Sequence, residues 1–156
     1  MKWLLKQSIL YEICIASIIM VLSITSSLYF RAYTLTTWDA VQFALALKEY
    51  NIFVHQPHPP GYISWIVLLK TVNYLVGDPN LSAIILNSVI AGLSTYIIYY
   101  IMYMFYKYSK AFSLLVSLTW LFNPVTWYYR SIAENYVVGV FFTLLILTLL
   151  YFYRET

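Results

Sequence analysis

The sequence predicts an all-α integral membrane protein, and three observations carry that prediction. The 156 residues are 62% hydrophobic and only 10% charged, where a soluble domain carries about 25% charge. Four apolar runs reach about the 20 residues that a helix needs to cross a bilayer. The basic residues gather at alternate ends of those runs, the pattern that charge bias imposes on membrane helices. This composition excludes a soluble globule, a disordered chain and a low-complexity polymer. A net charge of +3, spread along the chain, excludes a nucleic-acid footprint. The single cysteine, Cys14, excludes an intramolecular disulfide and lies inside an apolar run.

The spans are expected at residues 9–30, 81–106, 111–129 and 135–153. Glu12 is the one charge in the first; the second and fourth carry none, and Pro124 sits near the far end of the third. A charged start followed by an apolar run also fits a secretory leader, but the run exceeds the usual h-region of about 7–15 residues, which favours an uncleaved helix. Residues 31–80 differ in kind, holding both histidines and many of the charges. Within them, residues 36–51 and 61–76 each read as a short amphipathic helix. Lys70 and Asn73 interrupt the second, so both are expected to lie in the membrane interface. Lys2, Lys6, Lys107, Lys110 and Arg154 then fall on one side, expected to be cytoplasmic, with both chain termini. Residues 1–156 are expected to form a single unit in the cell membrane, multi-pass, with membrane lipids as surroundings.

Chemistry-bearing residues collect on the opposite, outer side. Asp39 follows Thr36 at the spacing of a capping box, and a carboxylate at a membrane surface is also suited to take a proton from an acceptor hydroxyl. Glu134 follows Ser131 at the same spacing and opens the fourth span, where an ionisable group is costly and marks a site hypothesis. Arg130 is its expected partner, or a fork for a phosphate. His55 and His58 lie in a turn with three prolines and Gly61, where they would donate hydrogen bonds to a phosphate or sugar. Two histidines in a proline turn, even beside Asp39, are too few to assign a metal. Tyr96, Tyr99, Tyr100 and Tyr103 recur at helical spacing and read as a packing stripe.

The order of these pieces resembles a known family. A first span leads to Trp38-Asp39, then to His58-Pro59-Pro60-Gly61-Tyr62, an interface helix and a hairpin of spans with a basic turn. Asn123-Pro124 and the segment Arg130-Ser131-Ile132-Ala133-Glu134-Asn135-Tyr136 follow. From about residue 36 onward this resembles the N-terminal part of the GT-C membrane glycosyltransferases. The likeness is to the protein mannosyltransferase and aminoarabinose transferase branch; oligosaccharyltransferase catalytic subunits are more distant. The resemblance implies an inverting transfer of a hexose or pentose from a polyprenyl-phosphate donor to an acceptor hydroxyl on the outer face. It implies catalytic roles for Asp39 and Glu134, with Arg130, His55 and His58 binding the substrate. It implies no nucleotide pocket; no cofactor is expected, the alternative being a divalent metal at His55, His58 and Asp39. Family members carry seven or more spans, so four imply the N-terminal portion of such a module, completed by further chain or a second subunit. The alternative is a non-catalytic membrane protein, either a truncated remnant or an accessory subunit that binds polyprenyl lipids.

Overall fold

One helix organises the molecule. In the computed structural model, which describes residues 2–155 and the side chains of residues 9–154, α4 (Pro79–Tyr100) is the centre on which the other long helices pack. Around it lie α1 (Lys2–Tyr29), α2 (Trp38–Lys48), α3 (Ile63–Val76), α5 (Lys110–Leu121), α6 (Pro124–Arg130) and α7 (Tyr136–Glu155). The chain is 78% helical, and no strand forms among the described residues.

Three helices are long and apolar enough to cross a membrane: Ile9–Tyr29, Pro79–Phe105 and Tyr136–Arg154. By length and composition these are the helices of a membrane protein. The apolar stretch of α4 is 61% buried by its neighbours, against 17% for α1 and 11% for α7. The two outer helices therefore turn most of their apolar side chains outward, Ile18 and Val21 on α1 and Ile146 and Leu150 on α7 among them. A surface of that kind is what hydrocarbon covers.

The expected span over 111–129 is divided. Its first part, α5, has 12 residues, a length of about 18 Å against the roughly 30 Å of a hydrocarbon core. The break lies at Asn123-Pro124: proline disfavours helical backbone in the residue before it, and Asn123 Oδ1 accepts the Val125 N–H at 2.9 Å to begin α6. The two short helices expected between the first spans form as α2 and α3. Asp78 caps α4 by accepting the Leu81 N–H at 2.6 Å, with Pro79 in the first position, so α4 begins two residues earlier than expected. Its far end loosens into a π-helical turn over Ile101–Phe105.

Small residues permit the closest packing. Along the seam of α1 and α4, Ser23 Oγ donates to the Ser88 carbonyl at 2.6 Å, and a Cβ on Gly92 would stand 2.9 Å from Met20 Sδ. Buried hydroxyls on α4 close on their own helix: Ser94 donates to the Ile90 carbonyl at 2.9 Å and Thr95 to that of Ala91 at 2.7 Å. Polar groups inside a bundle are satisfied in this way where water is absent. At the end where α1 begins, Lys110 Nζ donates to Glu12 Oε1 at 2.8 Å and lies 4.0 Å from the Tyr11 ring centre, joining α5 to α1. Tyr99, fully buried on α4, stacks on Tyr103 in the same region.

The link from α2 to α3 is built around Gly61, whose φ is +93°. Its N–H donates to the His58 carbonyl at 2.9 Å and its carbonyl accepts the Tyr50 hydroxyl at 3.0 Å. A Cβ there would stand 2.7 Å from Ile52 Cδ1 and against the Tyr50 hydroxyl. Gly77, at φ +78°, has nothing within 4 Å. Gly61→Ala should therefore cost more than the roughly 1–2 kcal/mol of left-handed backbone alone, and Gly77→Ala no more than that. Thermal unfolding of the two variants in detergent reads the difference; equal midpoints would show that the contacts over Gly61 are dispensable.

Candidate active site

The first turn of α2 and the turn joining α6 to α7 meet at one end of α4. Thr37, not Thr36, is the N-cap of α2, its Oγ1 accepting the Ala40 N–H at 3.1 Å. The capping box expected from Thr36 to Asp39 therefore does not form: the cap lies one residue further on, and Asp39 sits in the first turn without closing it. The physical reason is tertiary: the Thr37 hydroxyl also donates to Glu134 Oε1, across 97 residues of sequence. The capping box expected from Ser131 to Glu134 does not form either. Ser131 ends α6, and the Glu134 N–H donates to the Ile132 carbonyl at 3.0 Å in a tight turn ahead of α7.

That turn is pinned from below by Asn87, fully buried on α4. Its Nδ2 donates to the carbonyls of Glu134 at 2.6 Å and Ile132 at 3.0 Å. A second brace comes from the end of α1: the Ala32 N–H donates to the Ser131 carbonyl at 3.0 Å, and Asn80 Nδ2 to the Ala32 carbonyl at 2.8 Å.

His58 is brought alongside. Gln42 Oε1 accepts from both the His58 backbone N–H at 3.1 Å and Nδ1 at 2.6 Å, which places the ring proton on Nδ1. Nε2 is left as an acceptor for the Tyr62 hydroxyl at 3.2 Å. Asp39 Oδ1 stands 3.8 Å from Nδ1, close enough for an ion pair whenever the imidazole is protonated. His55 stays apart, exposed at the end of a short 3-10 turn with φ +57°. Among the described residues no three His, Cys, Asp or Glu side chains gather in a metal-holding group.

Arg130 does not meet Glu134. Its guanidinium is completely buried against α1, where Nη1 donates to the Ser23 carbonyl at 2.8 Å, Ser27 Oγ at 2.7 Å and Ser26 Oγ at 2.9 Å. The rings of Trp127 and Phe122 lie 5.3 and 5.6 Å from it. The side chain staples α6 to α1, a position that sequence spacing from Glu134 does not reveal.

A cleft of about 310 Å³ is lined by Thr37, Trp38, Asp39, Tyr128, Tyr129, Ile132, Glu134 and Tyr136. Two largely apolar grooves adjoin it. One, of about 400 Å³, runs between α3 and α7 past Trp65, Val138 and Phe142, and the other, of about 250 Å³, between α6 and α7 past Trp120, Val137 and Val140. Tyr136 borders all three. Asp39 keeps 37% of its side chain exposed, while Glu134 as a residue is 3% exposed. Burial pushes the Glu134 carboxyl above its ordinary value and Asp39 adds to the shift, against opposing effects of the Thr37 hydrogen bond and His58.

The sequence does not single out Thr37, Gln42 or Asn87 and marks Tyr62 only as the end of the turn from His58, yet these four set the site. Asn87 carried a usable signal, an amide in the middle of an otherwise apolar span. Gln42, Thr37 and Tyr62 carried none beyond their nearness to Asp39 and His58. Comparison of the chain with protein-family models, with characterised proteins and with solved structures finds no match.

Proposed function

We propose that this chain is a module of a membrane glycosyltransferase of the GT-C kind, transferring a sugar from a polyprenyl-phosphate donor to an acceptor hydroxyl. One observation carries the proposal: Asp39 and Glu134, on separate elements, line a single polar cleft that opens beside apolar grooves along α3 and α7. A lipid-linked sugar has the same division, with a polar reacting end and an apolar tail. In the reaction the acceptor oxygen bonds to the anomeric carbon while the carbon–oxygen bond to phosphate breaks. The acceptor's proton passes to Asp39, the bonding pair to the departing phosphate. Asp39 is suited to the base role by its solvent access, and His58 to steadying the base once protonated. With Arg130 engaged by α1, the phosphate falls to other donors in the cleft.

The expected test is transfer of a radiolabelled sugar from a polyprenyl phosphate by proteoliposomes containing this chain and whatever completes the enzyme. Absence of transfer, together with retained binding of polyprenyl phosphate, would favour a lipid-binding accessory subunit.

The proposed arrangement has four crossings, the third being α5 with the broken end α6, and α2 and α3 lying in the outer interface. Lys107, Lys110 and Arg154 then face the cytoplasm together with Lys2 and Lys6, whose side chains lie outside the described residues. Single cysteines at Ser109 and Asn51, with Cys14 replaced, test this orientation. An impermeant thiol reagent applied to intact cells should label position 51 and spare position 109; the reverse pattern would invert the topology.

A further inference from the structure

We propose that Glu134 is a neutral carboxylic acid in the resting protein and donates its Oε2 proton, as a hydrogen bond, to a phosphoryl oxygen of a phosphodiester ligand. The ligand class rests on the function proposed above; the state of the carboxyl does not.

The hydrogen-bond geometry assigns the two carboxyl oxygens different parts. Thr37 Oγ1 already accepts the Ala40 N–H, and its single proton goes to Glu134 Oε1. Oε1 is therefore an acceptor, and a proton on this carboxyl belongs on Oε2. Oε2 is buried and has no hydrogen-bond partner among the described residues. An ionised carboxylate here would be a buried charge held by one neutral hydroxyl and its own turn, an arrangement that protein interiors avoid by protonation.

Burial and Asp39 favour the neutral form, while Thr37 and His58 oppose it. From α2 comes Asp39, a like charge; from the α2–α3 link comes His58, whose Nδ1 proton is committed to Gln42. From α6 and α7 come Tyr128, Tyr129 and Tyr136, whose phenol rings line the cleft. Arg130, four residues away in sequence, directs its guanidinium at α1. Among the described residues no salt bridge reaches Glu134, and His58 is the neighbour whose charge would oppose its neutral form. Two carboxyls in one cleft, one with solvent access and one buried, separate into a base and a proton-bearing acid.

This division suits an anionic ligand. A second carboxylate beside Asp39 would repel a phosphodiester, whereas a carboxylic acid offers it a donor without a like charge. Glu134 thereby takes the part that the sequence assigned to Arg130.

The test uses the full chain in lipid nanodiscs and dodecyl methyl phosphate, a phosphodiester that stays singly charged between about pH 5 and pH 9. Infrared spectra at neutral pH should contain a carboxylic-acid carbonyl band that disappears in Glu134→Gln. Affinity for the probe should fall about tenfold as pH rises through the midpoint at which that band is lost. Glu134→Gln, which keeps an N–H donor, should bind with a pH-independent affinity. If that variant does not fold, the wild-type titration alone decides, since band and affinity must share one midpoint. Absence of the band overturns the proposal even if the probe binds, leaving the lipid-phosphate function standing. A band without any probe binding overturns both the donor role and the lipid-phosphate function. Binding that ignores the band's midpoint overturns the donor role alone.

Discussion

Asp39→Asn is expected to lower sugar transfer by about 10²–10⁴-fold while the protein accumulates and unfolds much as the wild type does. An amide matches the carboxylate in size but cannot take a proton from the acceptor hydroxyl. The folding cost is small because Thr37, not Asp39, caps α2. Asp39 contributes only its favourable charge in the first helical turn, typically within about 1 kcal/mol. Activity and thermal midpoint therefore separate in this variant. Retained transfer with a normal midpoint would reduce Asp39 to a first-turn acid and leave the proposed base without a residue. A parallel fall in both would mean that the carboxylate holds the cleft together. His58→Ala offers a second view, since it leaves Asp39 in place but removes the partner 3.8 Å away; transfer should then fall.

Asn87→Leu is the second change with a large expected effect. Leucine fills nearly the same space but donates nothing, so the carbonyl of Glu134 loses its partner at 2.6 Å in a buried setting. A buried carbonyl left unpaired costs about 1–3 kcal/mol, so the thermal midpoint in detergent should fall by several degrees. Activity should fall further than stability alone accounts for. The turn that carries Glu134 hangs from this amide, and a displacement of about 1 Å at a reacting group can cost about 10²-fold. Asn87→Ser, too short to reach both carbonyls, should behave alike. Unchanged stability in Asn87→Leu would mean that α4 does not support the site, and the account of how the fold positions Glu134 would fail.

The pH dependence of stability follows from the same carboxyl. Its pKa is raised in the folded protein, so between the ordinary carboxylate value and the raised one the folded state binds more protons than the unfolded. Stability should decline as pH rises through that window, and Glu134→Gln should flatten the decline.

Membrane character, the helical class and the rough position of the long helices were legible in the sequence, because each depends on local composition. About 20 apolar residues bury a backbone in hydrocarbon wherever they occur, and Pro79 or Asn123-Pro124 marks a helix start by local bonding alone. The presence of Asp39, His58 and Glu134 at one site is suggested by the common side on which the charge pattern of the sequence puts them. Their partners were not. Local spacing paired Glu134 with Ser131 and Arg130, but in the folded chain its side chain meets Thr37 and its backbone meets Asn87, while Arg130 turns to the serines of α1. Only tertiary structure decides such matters. A buried hydrogen bond goes to whichever group the packing of α1, α4 and α7 brings within 3 Å or so, and sequence distance carries no information about that. The same packing buries one acid and leaves the other open to water, and that difference in solvation gives two similar carboxyl groups opposite chemical parts.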